Sequence, residues 1–374
     1  MLRKALAQLI ISDIVHDGHP MTRAARLAPR TGRRTLGSTV RVGPLAAIPH
    51  LLRELGCNPG PIVREAGFEL AYFDDPELPM PYRAGSALLA RCVAATGCEH
   101  FGLMLGERAG PSSLGLAGFL MMNAPDVGHA LEDLVHYLSL HDRGGIATFE
   151  MRNGTALLGF TVIEPETQAV DQICDLSMAV ARNLMRGLCG PKWTASQVLL
   201  PRKPPADPTP WTRVFRSPIQ FNAGQCALAF PSRWLAHPVA VADPLLHRHL
   251  KQQADAMRRD SDFASEVRRL VSGTIAHRVS TAAHVAKLLG MHEKTLNRRL
   301  LEAGLTFRTV RDDARYAMAQ QLLSNTSMTI AEVAASLGYA EASAFVRAFT
   351  RWAGTTPGKW RPRTPHTSRE PAAR

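Results

Sequence analysis

Lys294, Asn297 and Arg298 stand at i, i+3, i+4 spacing, so in a helix they share one face. Their chemistry is recognition of hydrogen-bonding edges. Arginine and lysine donate to the guanine O6 and N7 acceptors, and asparagine pairs in two places with adenine, at about 1 to 3 kcal/mol of discrimination per good bidentate pair. Forty-eight residues further on, a second group, Ala342, Ser343, Val346 and Arg347, repeats the placement with fewer polar atoms. It suits thymine methyls and backbone shape more than base edges. Catalytic patterns are missing: no Walker loop, GxGxxG, GxSxG or HExxH occurs in the 374 residues.

Two copies of one pattern must position these side chains. The first reads TAAHVAKLLGMHEKTLNRRL from Thr281 and the second TIAEVAASLGYAEASAFVRAF from Thr329. Ala286, Gly290 and Thr295 recur as Ala334, Gly338 and Ser343. Each copy is expected to be two short helices meeting at a tight turn, a helix-turn-helix whose second helix enters the DNA major groove. Val285, Leu288 and Leu289 in the first copy, and Ile330, Val333 and Leu337 in the second, form the buried stripe of each first helix. Leu296 with Leu300, and Phe345 with Phe349, are the seams of the second helices. Gly290 and Gly338 mark helix exits that need positive φ. Thr329 with Glu332 reads as a capping box, and Ser280 or Thr281 caps the first copy. Between the copies, residues 307–323 lack Gly and Pro and predict a helix about 25 Å long, enough to hold two readers on grooves about 34 Å apart. Asp312 and Asp313 read as its solvated face.

Charge follows this organisation. Residues 263–374 carry 17 basic and 8 acidic side chains, a net +9 within a chain of net +12, while residues 38–262 carry 20 and 22, a net −2. A neutral body joined to a basic end is the electrostatic footprint of a nucleic-acid binder. The six cysteines, Cys57, Cys92, Cys98, Cys174, Cys189 and Cys226, show no CxxC and no Cys/His grouping. They point to reduced thiols in a cytoplasmic protein without structural metal. His129, His136 and His141 form the densest histidine group and read as surface or core residues. Trp193 and Trp211 read as core, with stacking on a ligand as the alternative.

The C-terminal stretch resembles the DNA-binding domain of the AraC family of transcription regulators. The residues that carry the resemblance are Gly338-Tyr339, Ser343, Phe345, Arg347, Phe349, Gly354, Thr356-Pro357 and Trp360-Arg361. It implies a two-headed reader of promoter DNA that activates transcription beside RNA polymerase, with Lys294, Asn297, Arg298, Ala342, Ser343, Val346 and Arg347 at the base-contacting positions. HFGLMLGER from His100, LGLAGFLMMNAPDVGHAL from Leu114, FRSPIQFNAGQCALAF from Phe215 and ADPLL from Ala242 resemble the effector domain of the subgroup with ornithine-utilisation regulators. They imply a small-molecule pocket, of unassigned lining, and a homodimer surface.

The expected architecture is an α+β effector and dimerisation domain over 40–250, a polar linker over 251–262, and an all-α DNA-binding domain over 263–361. In the first domain, helical periods cover 45–55, 84–95, 101–110, 127–138 and 166–188. A hairpin turns at Asn153-Gly154, and short strands fall at 197–200, 219–221 and 227–230. Residues 1–39, basic and interrupted by Gly and Pro, are expected to be a disordered leader or a start-site artefact, Met21 being an alternative start. A basic arm on DNA is the other reading. Residues 362–374 are expected to be a disordered tail, and Asp262 to cap the helix that follows it. No stretch reaches the 18 apolar residues of a membrane span. The reading is therefore a regulator with no cofactor and no catalytic activity, against an effector-independent or architectural DNA binder. A repair enzyme that shares this kind of reader needs a Pro-Cys-His setting that is absent.

Overall fold

The computed structural model describes residues 38–258, 263–276 and 280–361. The leader 1–37, residues 259–262 with the proposed Asp262 cap, and the tail 362–374 lie outside them. The N-terminal part runs β1 (Thr39–Arg41), α1 (Ile48–Glu54), α2 (Pro59–Glu65), β2 (Pro79–Pro81), α3 (Tyr82–Thr96), α4 (Phe101–Arg108), α5 (Leu116–Met122) and α6 (Val127–Tyr137). The order continues with β3 (Gly145–Arg152), β4 (Thr155–Val162), α7 (Val170–Cys189), β5 (Gln197–Leu199), α8 (Thr209–Phe215), β6 (Ile219–Gln220), β7 (Cys226–Pro231) and α9 (Pro244–Arg258). The C-terminal part is helical: α10 (Phe263–Ala276), α11 (Ala282–Leu288), α12 (Glu293–Glu302), α13 (Phe307–Asn325), α14 (Ile330–Ser336), α15 (Ala342–Ala353) and α16 (Pro357–Trp360). An α+β part followed by an all-α part is the expected fold class.

The five strands β3-β4-β7-β5-β6 form one sheet, antiparallel except for the β5–β6 pair. Asn153 and Gly154 both take positive φ, 48° and 77°, which is the backbone a two-residue hairpin turn requires. Helix α7 buries Leu176, Val180 and Leu184 against the sheet. Across its other side lies α4, whose Gly102 and Gly106 let the two backbones touch. A Cβ on Gly102 would sit 2.1 Å from the Gln172 carbonyl oxygen, and one on Gly106 2.5 Å from that of Leu176. Helix α7 begins at Val170 rather than at 166, because Glu166 and Ala169 adopt left-handed φ of 57° and 47° that interrupt any earlier turn. The short β1–β2 pair, also outside the sequence expectation, links the start of the described chain to residues 79–81.

Trp193 and Trp211 are core residues. Trp193 meets the Phe230 ring edge-on at 5.8 Å, and the Arg202 guanidinium lies 4.6 Å from the Trp211 ring centre. Arg202 also pairs with Asp175, which is fully buried at the middle of α7. Burial pushes the Asp175 carboxyl up to about 7, with Arg202 opposing the shift. All six cysteines are free thiols, Cys92, Cys174 and Cys226 being buried.

The connector differs from expectation. Residues 251–258, read as polar linker, are the second half of α9, which crosses the border expected at 250 and is held on α5 and α6. Asp133 takes His247 Nε2 at 2.7 Å and Lys251 Nζ at 3.2 Å, Tyr137 donates to Asp255 at 2.6 Å, and Ala254 is fully buried. One small apolar residue and a row of polar anchors dock this helix, so its composition reads as solvated while its geometry is fixed. Among the described residues no single helix is long and apolar enough to cross a membrane.

Candidate nucleic-acid interface

Each helix-turn-helix forms for local reasons. Thr281 Oγ1 accepts the His284 amide at 3.2 Å and starts α11, which settles the first cap on Thr281. Gly290 then takes φ 64° with no atom within 4 Å of where a Cβ would stand. Its requirement is conformational, not steric. His292 caps α12 by accepting the Lys294 amide at its Nδ1, 3.2 Å away. In the second copy Thr329 and Glu332 exchange the two bonds of a capping box: Glu332 N donates to Thr329 Oγ1 at 3.2 Å, and Thr329 N to Glu332 Oε2 at 2.7 Å. Gly338 repeats Gly290 at φ 76°.

One hydrophobic core carries both copies. Leu296, Leu300, Phe345 and Phe349 are fully buried in it, with Val285, Ala286, Val333, Ala334 and Leu337. Small residues at 286 and 334 admit the crossing helix. Leu288 departs from the expected stripe: it is 53% exposed, because Val285, Ala286 and Leu289 define the inward face and Leu288 lies about 100° round the helix from its centre.

With these seams buried, the opposite faces of α12 and α15 are presented outward. Lys294 and Arg298 are exposed and Asn297 is half-buried beside them. Arg298 Nη1 meets Glu302 Oε1 at 2.7 Å, an exposed i,i+4 pair of the kind that contributes about 0 to 1 kcal/mol. Glu302 therefore orients the guanidinium without holding it. Arg299, its neighbour, is held over the Phe263 ring at 3.7 Å. On α15, Ser343 and Arg347 are exposed, whereas Val346 is half-buried and Ala342 packs against the core rather than facing outward. The outward polar surface of the second helix thus narrows to Ser343 and Arg347.

A basic groove that sequence reasoning missed lies beside them. Arg308, Arg311 and Arg315 on α13 face Arg347 and Arg351 on α15, with Asp312 as the one carboxylate in the lining. Asp312 is not simply solvated: its Oδ2 takes Arg351 Nη2 at 3.0 Å, and Arg315 sits 4.8 Å from the Tyr339 ring centre. The Nε atoms of Arg311 and Arg315 are buried without a partner. Five guanidinium groups against one carboxylate make an anion site, and fork-shaped donors match phosphate oxygens. The signal was the arginine spacing of three and four along a helix read only as a spacer.

The N-terminal part holds a cavity between the sheet, α3, α6 and α7, lined mainly by apolar side chains with leucine the commonest. Ala147 of β3 lines it, while the adjacent Ile146 and Thr148 approach Gly273 of α10, at 3.5 and 4.0 Å from where its Cβ would stand. Alternation along one strand therefore gives the cavity and the DNA-binding half a common wall. Further ties between the halves are Gln321 Nε2 to the Val162 carbonyl, 2.9 Å, Lys203 N to that of Asn325, 2.9 Å, and Ser327 N to Asn222 Oδ1, 2.8 Å. The three histidines 129, 136 and 141 are not brought together: His129 pairs with Asp126, His136 meets Arg258, and His141 is buried at the cavity.

A basic helical domain with two helix-turn-helix copies on one core, attached to a cavity-bearing α+β domain, defines a DNA-binding transcription regulator. Residues 56–239 match the N-terminal arabinose-binding domain of AraC transcription regulators, and residues 285–363 match a helix-turn-helix domain. The chain belongs to the AraC family, and is a regulator rather than an enzyme. It is 27% identical over 330 residues to the HTH-type transcriptional regulator VirS of Mycobacterium tuberculosis, covering 87% of this chain and 97% of the relative. With the ornithine utilization regulator of Pseudomonas aeruginosa it shares 25% identity over 336 residues, 88% and 99% of the two chains. The regulator VqsM of the same organism is 27% identical over 274 residues, 70% and 83% of the two chains.

Proposed function

We propose that the protein is an effector-responsive transcription activator that reads promoter DNA with α12 and α15. In this reading Lys294, Asn297 and Arg298 contact base edges, Ser343 and Arg347 extend the contact in the next groove, half-buried Val346 meets thymine methyls, and Ala342 seats the start of the second helix on the core. The arginine groove between α13 and α15 grips the phosphate backbone. The observation that carries the reading is the polar face of α12, exposed Lys294 and Arg298 with half-buried Asn297 beside them, set beside the fully buried Leu296–Leu300 seam.

Residues 40–250 sense a small molecule and residues 263–361 read DNA, in a cytoplasmic homodimer that works beside RNA polymerase. The wall shared by the cavity and α10 supports an effector response: a ligand that moves β3 moves the first helix of the reader. Genome-wide occupancy of the tagged protein, with and without Arg298→Ala, tests the proposal. A few sharp sites sharing a repeated half-site, lost or degenerate in the variant, are expected. Broad occupancy without a shared motif makes the protein an architectural DNA binder instead.

A further inference from the structure

We infer that the cavity of the N-terminal domain is built for an uncharged, predominantly apolar molecule bearing one hydroxyl or carbonyl group, a lipophilic alcohol or ketone. The inference rests on reading that domain as the effector sensor and gives its ligand a chemical class. About 110 Å³ of interior space lies behind an open mouth, so a chain of more than a few carbons extends out through that mouth. Leu89, Leu134, Leu158, Phe160, Ile173 and Met178 supply much of its wall, and no lysine or arginine lines it.

Two polar atoms in that wall have no partner. Tyr82 is 4% exposed and its Oη is buried without a hydrogen bond, and His141 is 5% exposed with Nδ1 in the same condition. Buried polar atoms are nearly always satisfied, so a pair of orphans on two residues that line one cavity marks where a ligand's polar group completes the bonding. Both belong to the neighbourhood of the 141–145 turn: Gly144 lies against the Tyr82 ring, where a Cβ would come within 2.2 Å of Cδ2. Burial and nearby Arg41 push His141 down to about 3, so its imidazole is neutral.

The charged groups around this end decide against ions. Asp142 is the carboxylate in the lining, and its Oδ1 accepts the Gly144 and Gly145 amides at 2.8 Å each. Arg41, the nearest guanidinium to His141, is paired with Glu77. A ligand carboxylate would find no cation in the lining and would sit beside Asp142, while Arg269 behind it already faces Asp142 and Glu266. A sugar or a free amino acid would need many polar partners, and the Ser86 hydroxyl is already committed to the Arg83 carbonyl at 2.9 Å and the Gln168 amide at 3.2 Å. Tyr82, His141 and the Ser177 hydroxyl suffice for one hydroxyl or carbonyl group.

The test uses the full chain and the uncharged fluorophore N-phenyl-1-naphthylamine, displaced in turn by 1-dodecanol, 2-tridecanone, dodecanoate, arabinose and ornithine. The alcohol and ketone should displace at least tenfold more tightly than dodecanoate, and arabinose and ornithine should not displace. Tyr82→Phe should weaken the alcohol about tenfold while leaving the fluorophore unchanged, and Ala181→Phe should exclude both, with circular dichroism verifying the fold of each. Equal binding of dodecanoate, displacement by arabinose or ornithine, or an unchanged alcohol affinity in Tyr82→Phe overturns the inference. Operator affinity measured on the same samples separates the two claims. Intact operator binding without binding of the neutral compounds removes the ligand class alone. Binding of the neutral compounds that leaves operator affinity unchanged upholds the class and removes the effector response.

Discussion

Arg298 and Glu302 show how little holds the side chain proposed to read a base before DNA arrives. Exchanging an exposed carboxylate for a guanine edge requires no buried group to move, so Arg298→Ala is expected to weaken operator binding by about 1 to 3 kcal/mol and relax base preference at one position. A binding-site selection experiment reads both effects. At the opposite extreme, Arg202→Ala leaves Asp175 buried without its partner and should destabilise the N-terminal domain by about 3 to 5 kcal/mol, measured by urea unfolding. The adjacent His141 and Asp142 make a pH prediction. Burial lowers His141 from 6.5 to about 3, so the unfolded chain binds the extra proton and stability rises with pH up to about 6.5. Burial raises Asp142 from 3.8 to about 7 against its two amide bonds, so the folded chain holds the extra proton and stability falls as pH rises between about 4 and 7. The two slopes oppose. Relative to wild type, Asp142→Asn should gain stability as pH rises from about 4 to 6.5, and His141→Gln should lose it, in unfolding midpoints taken across that range.

At the scale of elements, the helix-turn-helix copies are held by their ends. Thr329→Ala removes half of a capping box at the entrance of α14 and should cost about 1 kcal/mol. Gly290→Ala meets no neighbouring atom yet forces an alanine to φ 64°, which should cost about 1 to 2 kcal/mol. Helix α13 does more than space the readers. If Arg311 and Arg315 each meet a phosphate, replacing either by alanine should lower the slope of log affinity against log salt by about one. Asn297→Ala should alter base preference and leave that slope alone. Both copies, their glycines and Thr329 with Glu332 were legible in the sequence, because turn and cap chemistry depends on residues a few positions apart. The groove was not, because Arg308, Arg311 and Arg315 acquire their meaning only from Arg347 and Arg351 on another helix. Leu288 misled for a related reason: a spacing of three from Val285 fits either edge of a stripe, and only the packing of Ala286 and Leu289 shows which edge turns inward.

At the scale of the molecule, the helix-turn-helix half is mounted on the α+β half. Gly224 stands where a Cβ would lie 2.3 Å from Ser336 Oγ and 3.1 Å from Ser336 Cβ, so the loop before β7 touches the last residue of α14. Gly224→Val is expected to push the halves apart, splitting a single calorimetric transition into two while operator affinity on short DNA stays within about twofold. Helix α9 is the other mechanical element. Held by Asp133, Tyr137 and buried Ala254, it extends the α+β half up to Arg258, where Arg258 Nη2 meets Glu266 of α10 at 2.7 Å.

The sequence by itself determined the order of the two halves, the duplicated reader, the hairpin at Asn153-Gly154 and the basic character of the DNA-binding end. Each of these follows from local periodicity, turn residues or summed charge, which act within one element. Only the tertiary structure decided that α9 is docked on the α+β half, that five arginines converge between α13 and α15, and that Tyr82 and His141 line one apolar cavity that shares strand β3 with α10. Those are relations between residues dozens to hundreds of positions apart, and their physical content is the loss of water around groups that only the folded chain brings together.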